Sequence, residues 1–294
     1  MLLYFVLTLL LVAGCSWGPG MHLAFGSFVL REARRRLPAR TANLLRSERD
    51  AFLYGNVAAD IISIKGWGGH HNHCHRWTIV DEMLEAAETP QQRAFALGYQ
   101  AHLAADTIAH NHYVPYHLAR YARSKGFGHM YWEMRADSFV SETVWRLATR
   151  LKDNSDLRAM DALVMRFVPK RVLPDMANRM LFDHVLMVAQ RDTWRRAVER
   201  VHEASSAPLD SAFLTEFRDA SLERILLTLD GPPHALAHVD PTGREAQSAA
   251  WLMRKRTLAT TVLTSTRVRV AEEVSAPFLE GMETPPESSG QPLW

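Results

Sequence analysis

Cysteine is almost missing from this chain. Cys15 and Cys74 are the only two in 294 residues, so there is no disulfide framework. An excess of charge of one sign is missing too. Lysine and arginine number 34 against 32 acids, for a formal charge of +2, which gives no support to nucleic-acid binding through a basic surface. The early cluster Arg31, Arg34, Arg35, Arg36 and Arg40 reads as the solvated face of a helix. Alternation of period two is nowhere long enough to argue for a sheet. A charged fraction of 22% beside 47% hydrophobic residues excludes wholesale disorder.

The apolar run Met1 to Ala13 is too short to span a membrane comfortably and suits a signal-peptide core, although no lysine or arginine precedes it. Residues 1–16 are therefore expected to be a signal peptide and the protein to be exported, periplasmic or secreted. Gly14 and Ser16 satisfy the small-x-small rule for cleavage before Trp17. The run Leu11-Val12-Ala13-Gly14-Cys15 also resembles a lipobox, which would instead anchor a lipoprotein through Cys15.

From Met21 onward the apolar spacing is helical. Helices are expected from Met21 to Leu37, Ala42 to Tyr54, Thr78 to Ala87, and from Pro90 to His112, where Thr89 and Gln92 form a capping box. Residues 65–75 read as a loop. Further helices are expected over His129 to Lys152, Asp156 to Phe167, Asp175 to Ala204, Leu209 to Leu229 and Glu245 to Glu280. The prediction is one all-α, multi-helix domain over residues 17–280, followed by a disordered tail, 281–294, rich in Pro, Ser, Glu and Gly.

Ten of the fourteen histidines lie between His22 and His129. His102, Asp106 and His110 follow one another at four-residue steps, and His129 and Glu133 repeat the step. Residues four apart share a helical face, so two helices would present stacked imidazoles and carboxylates, the donor set of a borderline cation such as zinc. A lone helical histidine is ordinarily a surface or core residue. Five ligand-type side chains within 32 residues reverse that reading.

Five motifs in order carry a resemblance. They are Trp17-Gly18-Pro19-Gly20-Met21-His22; Ala58-Ala59-Asp60; His73-Cys74-His75-Arg76-Trp77; His102-x-x-x-Asp106 with His110; and His129-x-x-x-Glu133. Together they resemble the zinc-dependent phospholipase C family, which is related in fold to the three-zinc single-strand nucleases. The resemblance covers roughly Trp17 to Asp137. It implies an all-helical fold with two to three zinc ions in one cleft. One zinc would take His102, Asp106 and a histidine of the 73–75 motif. A second would take His110, His129 and Glu133. A third would take His22, a shared Asp106 carboxylate, and the amine and carbonyl of Trp17. Asp60 would be a bridging ligand or the general base for the attacking water.

Two positions depart from the family pattern. Relatives place the second-zinc histidine where His112 stands, but His110 keeps the face of His102 and Asp106 and is preferred. In the loop, His73 matches the ligand position better than His75, which would then lie behind the ligands or face substrate. His70 and His71 are expected to be solvent-exposed and Cys74 to be buried packing. Asp137 would orient a ligand histidine or form a structural salt bridge.

The implied reaction is hydrolysis of a phosphodiester, most simply a phospholipid met at a membrane surface. A single-strand nuclease is the alternative, with Trp67, Trp77, Tyr113 and Tyr116 as stacking candidates. A non-catalytic zinc-binding protein is the rival from another class, and Asp60 argues against it, because a structural site has no need of a base.

Overall fold

The computed structural model describes residues 17–62, 73–168, 173–189, 191, 193, 196, 198–200, 209, 211–230, 235–260 and 264–282. Among them there is no strand. In chain order the helices are α1 Pro19–Arg36, α2 Ala39–Ser47, α3 Arg49–Ala58, α4 Trp77–Glu85 and α5 Pro90–Ile108. The π-helical segment Ala109–Tyr113 joins α5 to α6, Val114–Tyr121. There follow α7 Lys125–Asp137, α8 Glu142–Lys152, α9 Ser155–Arg158, α10 Asp161–Phe167, α11 Asp175–Ala189, α12 Ser211–Asp230, α13 Arg244–Thr260 and α14 Thr264–Ser275. A 3-10 turn, Ala276–Leu279, closes the described chain. The all-α expectation holds in a single domain. The expected signal peptide, His70, His71, Trp67 and most of the expected tail lie outside the described residues.

The capping box at the start of α5 is present: Gln92 N–H donates to Thr89 Oγ1 at 3.1 Å, and Thr89 N–H donates to Gln92 Oε1 at 3.2 Å. Other boundaries need correction. The expected helix from His129 to Lys152 is two helices, parted at residues 138–141, and the first begins at Lys125, so Gly126 and Gly128 belong to its opening turns. Helical structure also runs through Pro115 instead of stopping before it. The π turn, closed by Val114 N–H donating to Ala109 O, leads into α6, where Pro115 sits in the first turn and its missing N–H has no intrahelical partner to lose. Helix α3 extends past Tyr54 to Ala58, which brings Ala58-Ala59-Asp60 to its C-terminal end.

The core joins Trp17, Phe25, Phe52, Phe95, Tyr99, Tyr113 and Phe217, all 2% exposed or less. Each such buried ring contributes on the order of 2–3 kcal/mol. The crossing of α3 and α5 sets the geometry that matters most. A Cβ on Gly55 would lie 2.1 Å from Phe95 O, and one on Gly98 would lie 2.1 Å from Phe52 O. Only glycine at both positions lets the two backbones touch, and that contact delivers the end of α3 to the face of α5 bearing His102.

Candidate metal centre

The centre forms where α1, the end of α3, the segment after residue 72, α5 with its π turn, and α7 converge. Asp106 is its hub. Its Oδ1 lies 3.3 Å from His22 Nε2, while Oδ2 lies 3.2 Å from both His102 Nε2 and His75 Nδ1. Asp60 Oδ1 lies 3.1 Å from His75 Nε2 and 3.8 Å from His102 Nε2. Toward solvent, Glu133 Oε1 is 3.7 Å from His110 Nε2 and 2.5 Å from His129 Nε2. Four overlapping groups result, each with ligand atoms within 4.8 Å of one another: His22, His102 and Asp106; Asp60, His75 and His102; His75, Asp106 and His110; and His110, His129 and Glu133.

These spacings fit zinc. Tetrahedral ligands about 2.0–2.1 Å from an ion stand about 3.3 Å from each other, and most of the separations above lie near that edge. The His129–Glu133 contact is tighter and is a hydrogen bond.

Protonation suits the same purpose. His102 Nδ1 lies 2.8 Å from Asn56 O and His110 Nδ1 lies 2.6 Å from Pro241 O. A carbonyl can only accept, so each Nδ1 carries the proton and each Nε2 turns its lone pair into the cluster, the usual arrangement behind a metal-binding histidine. His22 is fully buried. Burial first, and the charge of His102 second, lower its pKa to about 4 against the opposing pull of Asp106, so the ring is neutral at pH 7. Burial pushes the Asp106 carboxyl up, but the surrounding imidazoles, His102 first, outweigh it and hold Asp106 well below the usual range.

Of the two loop histidines, the geometry favours His75 over the expected His73. His73 Nδ1 accepts the His75 N–H at 3.1 Å, so that ring turns back on its own backbone and joins none of the four groups, whereas His75 is 1% exposed at their centre. His110 rather than His112 faces the cluster. His112 Nδ1 donates to Phe278 O at 3.0 Å and its Nε2 lies 3.3 Å from Arg224 Nη2, on the far side of the π turn.

Asp137 takes neither of its two expected roles. Its carboxylate accepts from Gly20 N–H at 3.1 Å and Met21 N–H at 2.9 Å, capping the helix that carries His22. Burial raises its pKa to about 7, against the pull of those two bonds. The close seat of Asp137 explains one residue of the Trp-Gly-Pro-Gly motif, since a Cβ on Gly18 would lie 2.3 Å from its Oδ2. Trp17 itself is buried, stacks on Tyr113 and donates Nε1–H to Ser221 Oγ at 3.2 Å. Cys74 is buried, as expected.

The three described stacking candidates are engaged within the fold: Trp77 donates Nε1–H to Val239 O at 2.9 Å, Tyr113 donates to Trp132 O at 2.8 Å, and Tyr116 packs on Phe213.

A model described as zinc dependent phospholipase C matches residues 21–204. The chain belongs to the zinc-dependent phospholipase C family. No curated protein and no solved structure matches it. The match takes in every residue of the four groups and reaches well beyond the Trp17–Asp137 span in which the motifs resemble the family. Membership and the clustered donors together support a zinc hydrolase.

Sequence reasoning missed the residues behind the ligands. Asn56 O and Pro241 O fix two imidazoles, and Asn111 Nδ2 donates to Asp240 O at 2.8 Å, tying the Val239–Gly243 turn to the π segment. Gly243, at φ +53°, would place a Cβ 2.1 Å from His110 O. A turn pattern at Asp240-Pro241-Thr242-Gly243 is visible in the sequence, but nothing local says that it lies against a helix 130 residues earlier.

Proposed function

We propose that this chain is an exported hydrolase of the phospholipase C type, using two to three zinc ions to cleave a phosphodiester of a phospholipid. The observation that carries the reading is the Asp106 hub, with one carboxylate shared among His22, His75 and His102 and a second carboxylate, Asp60, alongside. A structural zinc site closes its shell with four ligands; a chain of donors shared between adjacent groups suits a catalytic site of several metals.

In this reading His22, His75, His102 and Asp106 hold the inner metals, with the Trp17 amine and carbonyl completing one shell, and His110, His129 and Glu133 hold the outer one. Zinc bound there would supply Lewis-acid polarisation of the phosphoryl oxygens and lower the pKa of the attacking water. Asp60, beside His75 and His102, would accept the proton of the attacking water. Three carboxylates facing two or three dications leave a net positive cleft that draws in a phosphodiester. The N-terminal part of α7, where His129 is partly exposed, is the side that would meet the lipid surface.

The test is turnover by zinc-loaded protein of phosphatidylcholine in mixed micelles and of single-stranded DNA. Zinc-dependent release of diacylglycerol and phosphocholine is expected. Cleavage of DNA without lipid turnover, or zinc binding with neither, overturns the reading. N-terminal sequencing of the exported protein tests the processing: Trp17 first is expected, and a lipid-blocked Cys15 contradicts it.

A further inference from the structure

Three cations lie beside the metal centre on two helices, none of them in an ion pair among the described residues. Lys125 opens α7, one turn ahead of His129 and two ahead of Glu133, so the three share a helical face, with Lys125 about 6 Å along the axis from His129. Arg244 opens α13 directly after Gly243, the residue seated against His110. The Lys125 ammonium donates to Ser248 Oγ at 3.1 Å, and Ser248 stands one turn after Arg244 on α13. Lys255 lies three turns along the same face. All three cations are exposed, and among the described residues none is paired with a carboxylate. Burial, then the charges of Arg244 and Lys255, lower the Lys125 pKa.

Like charges gathered in one place repel one another and raise the energy of the folded chain. Lys125 is on the helix that carries His129 and Glu133, while Arg244 and Lys255 are on the helix that follows the turn seated against His110. The geometry points to an anion subsite formed by Lys125 and Arg244 beside the metal centre, which binds a second negative group, phosphate or carboxylate, on a phosphodiester substrate. The inference rests on the hydrolase reading for its orientation, since the scissile phosphate occupies the metals and the second group reaches the rim. It selects headgroups that carry an extra anion over those, like choline, that carry a cation. Arg244 supplies a planar fork for an oxyanion and Lys125 a point charge.

Calorimetry on the zinc-loaded protein separates this from the parent reading. Inositol 1-phosphate and inositol 1,4-bisphosphate are the probes, and they differ by one phosphate. The wild-type protein is expected to bind the bisphosphate about tenfold more tightly, and Lys125→Gln with Arg244→Gln to erase that preference. A control pair, Arg34→Gln with Arg93→Gln, removes the same charge from exposed sites on α1 and α5 and should leave the preference within about twofold. No preference in the wild type, a preference that survives in the rim variant, or an equal loss in the control overturns the subsite. In turnover, the ratio of kcat/KM for phosphatidylinositol 4-phosphate to that for phosphatidylcholine should fall about tenfold in the rim variant, mainly through KM. Absence of turnover on both lipids removes the hydrolase reading, while the binding arm still decides the subsite.

Discussion

Gly243 lies against the backbone carbonyl of His110, so closely that a Cβ there would sit 2.1 Å from the oxygen, and its φ of +53° is one that side-chain-bearing residues seldom adopt. The same turn offers Pro241 O to His110 Nδ1. Half of the chain separates this turn from the ligands it positions, so the C-terminal half takes part in building the site.

Gly243→Ala should therefore do two things. The strained turn and the displaced carbonyl should cost about 1–3 kcal/mol of folding stability, read by urea denaturation. The freed His110 should weaken metal binding at the outer group by about tenfold or more, read by zinc titration. Unchanged stability and zinc affinity would show that the turn is not a support.

His75→Ala and His73→Ala should differ. Removing His75 takes a donor from two of the four groups, and zinc content should fall by about one ion or its affinity by more than a hundredfold. His73→Ala removes a ring that faces its own backbone, and its effect should stay within about tenfold. The reverse order would return the loop ligand to His73.

Asp60→Asn keeps the size of the side chain and removes the base. Turnover should fall by at least about a hundredfold, with the thermal midpoint little altered. Full activity with zinc retained would take Asp60 out of the reaction.

His117 supplies a pH test away from the ligands. It is fully buried between Tyr113, Trp132 and Phe217; Nδ1 donates to Tyr113 O at 2.7 Å, and burial lowers its pKa to about 3. The native ring stays neutral while the unfolded one titrates near its ordinary value. Stability is thus fully present above the unfolded pKa. As pH falls below about 6.5, each unit removes up to about 1.4 kcal/mol on account of this group. His117→Gln should flatten the loss between pH 6.5 and 4.5 by that slope, read by urea denaturation. An identical slope in the variant would contradict the account.

What could be read in the sequence followed helical spacing. His102, Asp106, His129 and Glu133 are local pairs, and a four-residue step dictates that each pair shares a face whatever the tertiary fold. The Thr89 cap is equally local. What could not be read depends on long-range approach. Nothing near Gly55 or Gly98 announces that the two helices cross at backbone contact, nor near Asp137 that its carboxylate caps α1. Helix boundaries failed where tertiary packing decided them, as at the π turn that carries α5 through Pro115. The choice between His73 and His75 was not legible, because two residues of the same type, two apart, are separated only by the direction of one ring.

The central claim is that zinc lies among these donors, and anomalous diffraction at the zinc edge tests it most directly. Crystals of zinc-loaded protein should show one peak within about 2.0–2.2 Å of ligand atoms from His110, His129 and Glu133 and at least one more between Asp106 and His22, His75 or His102. Peaks confined to surface sites, with none within bonding distance of Asp106 or Glu133, would contradict it.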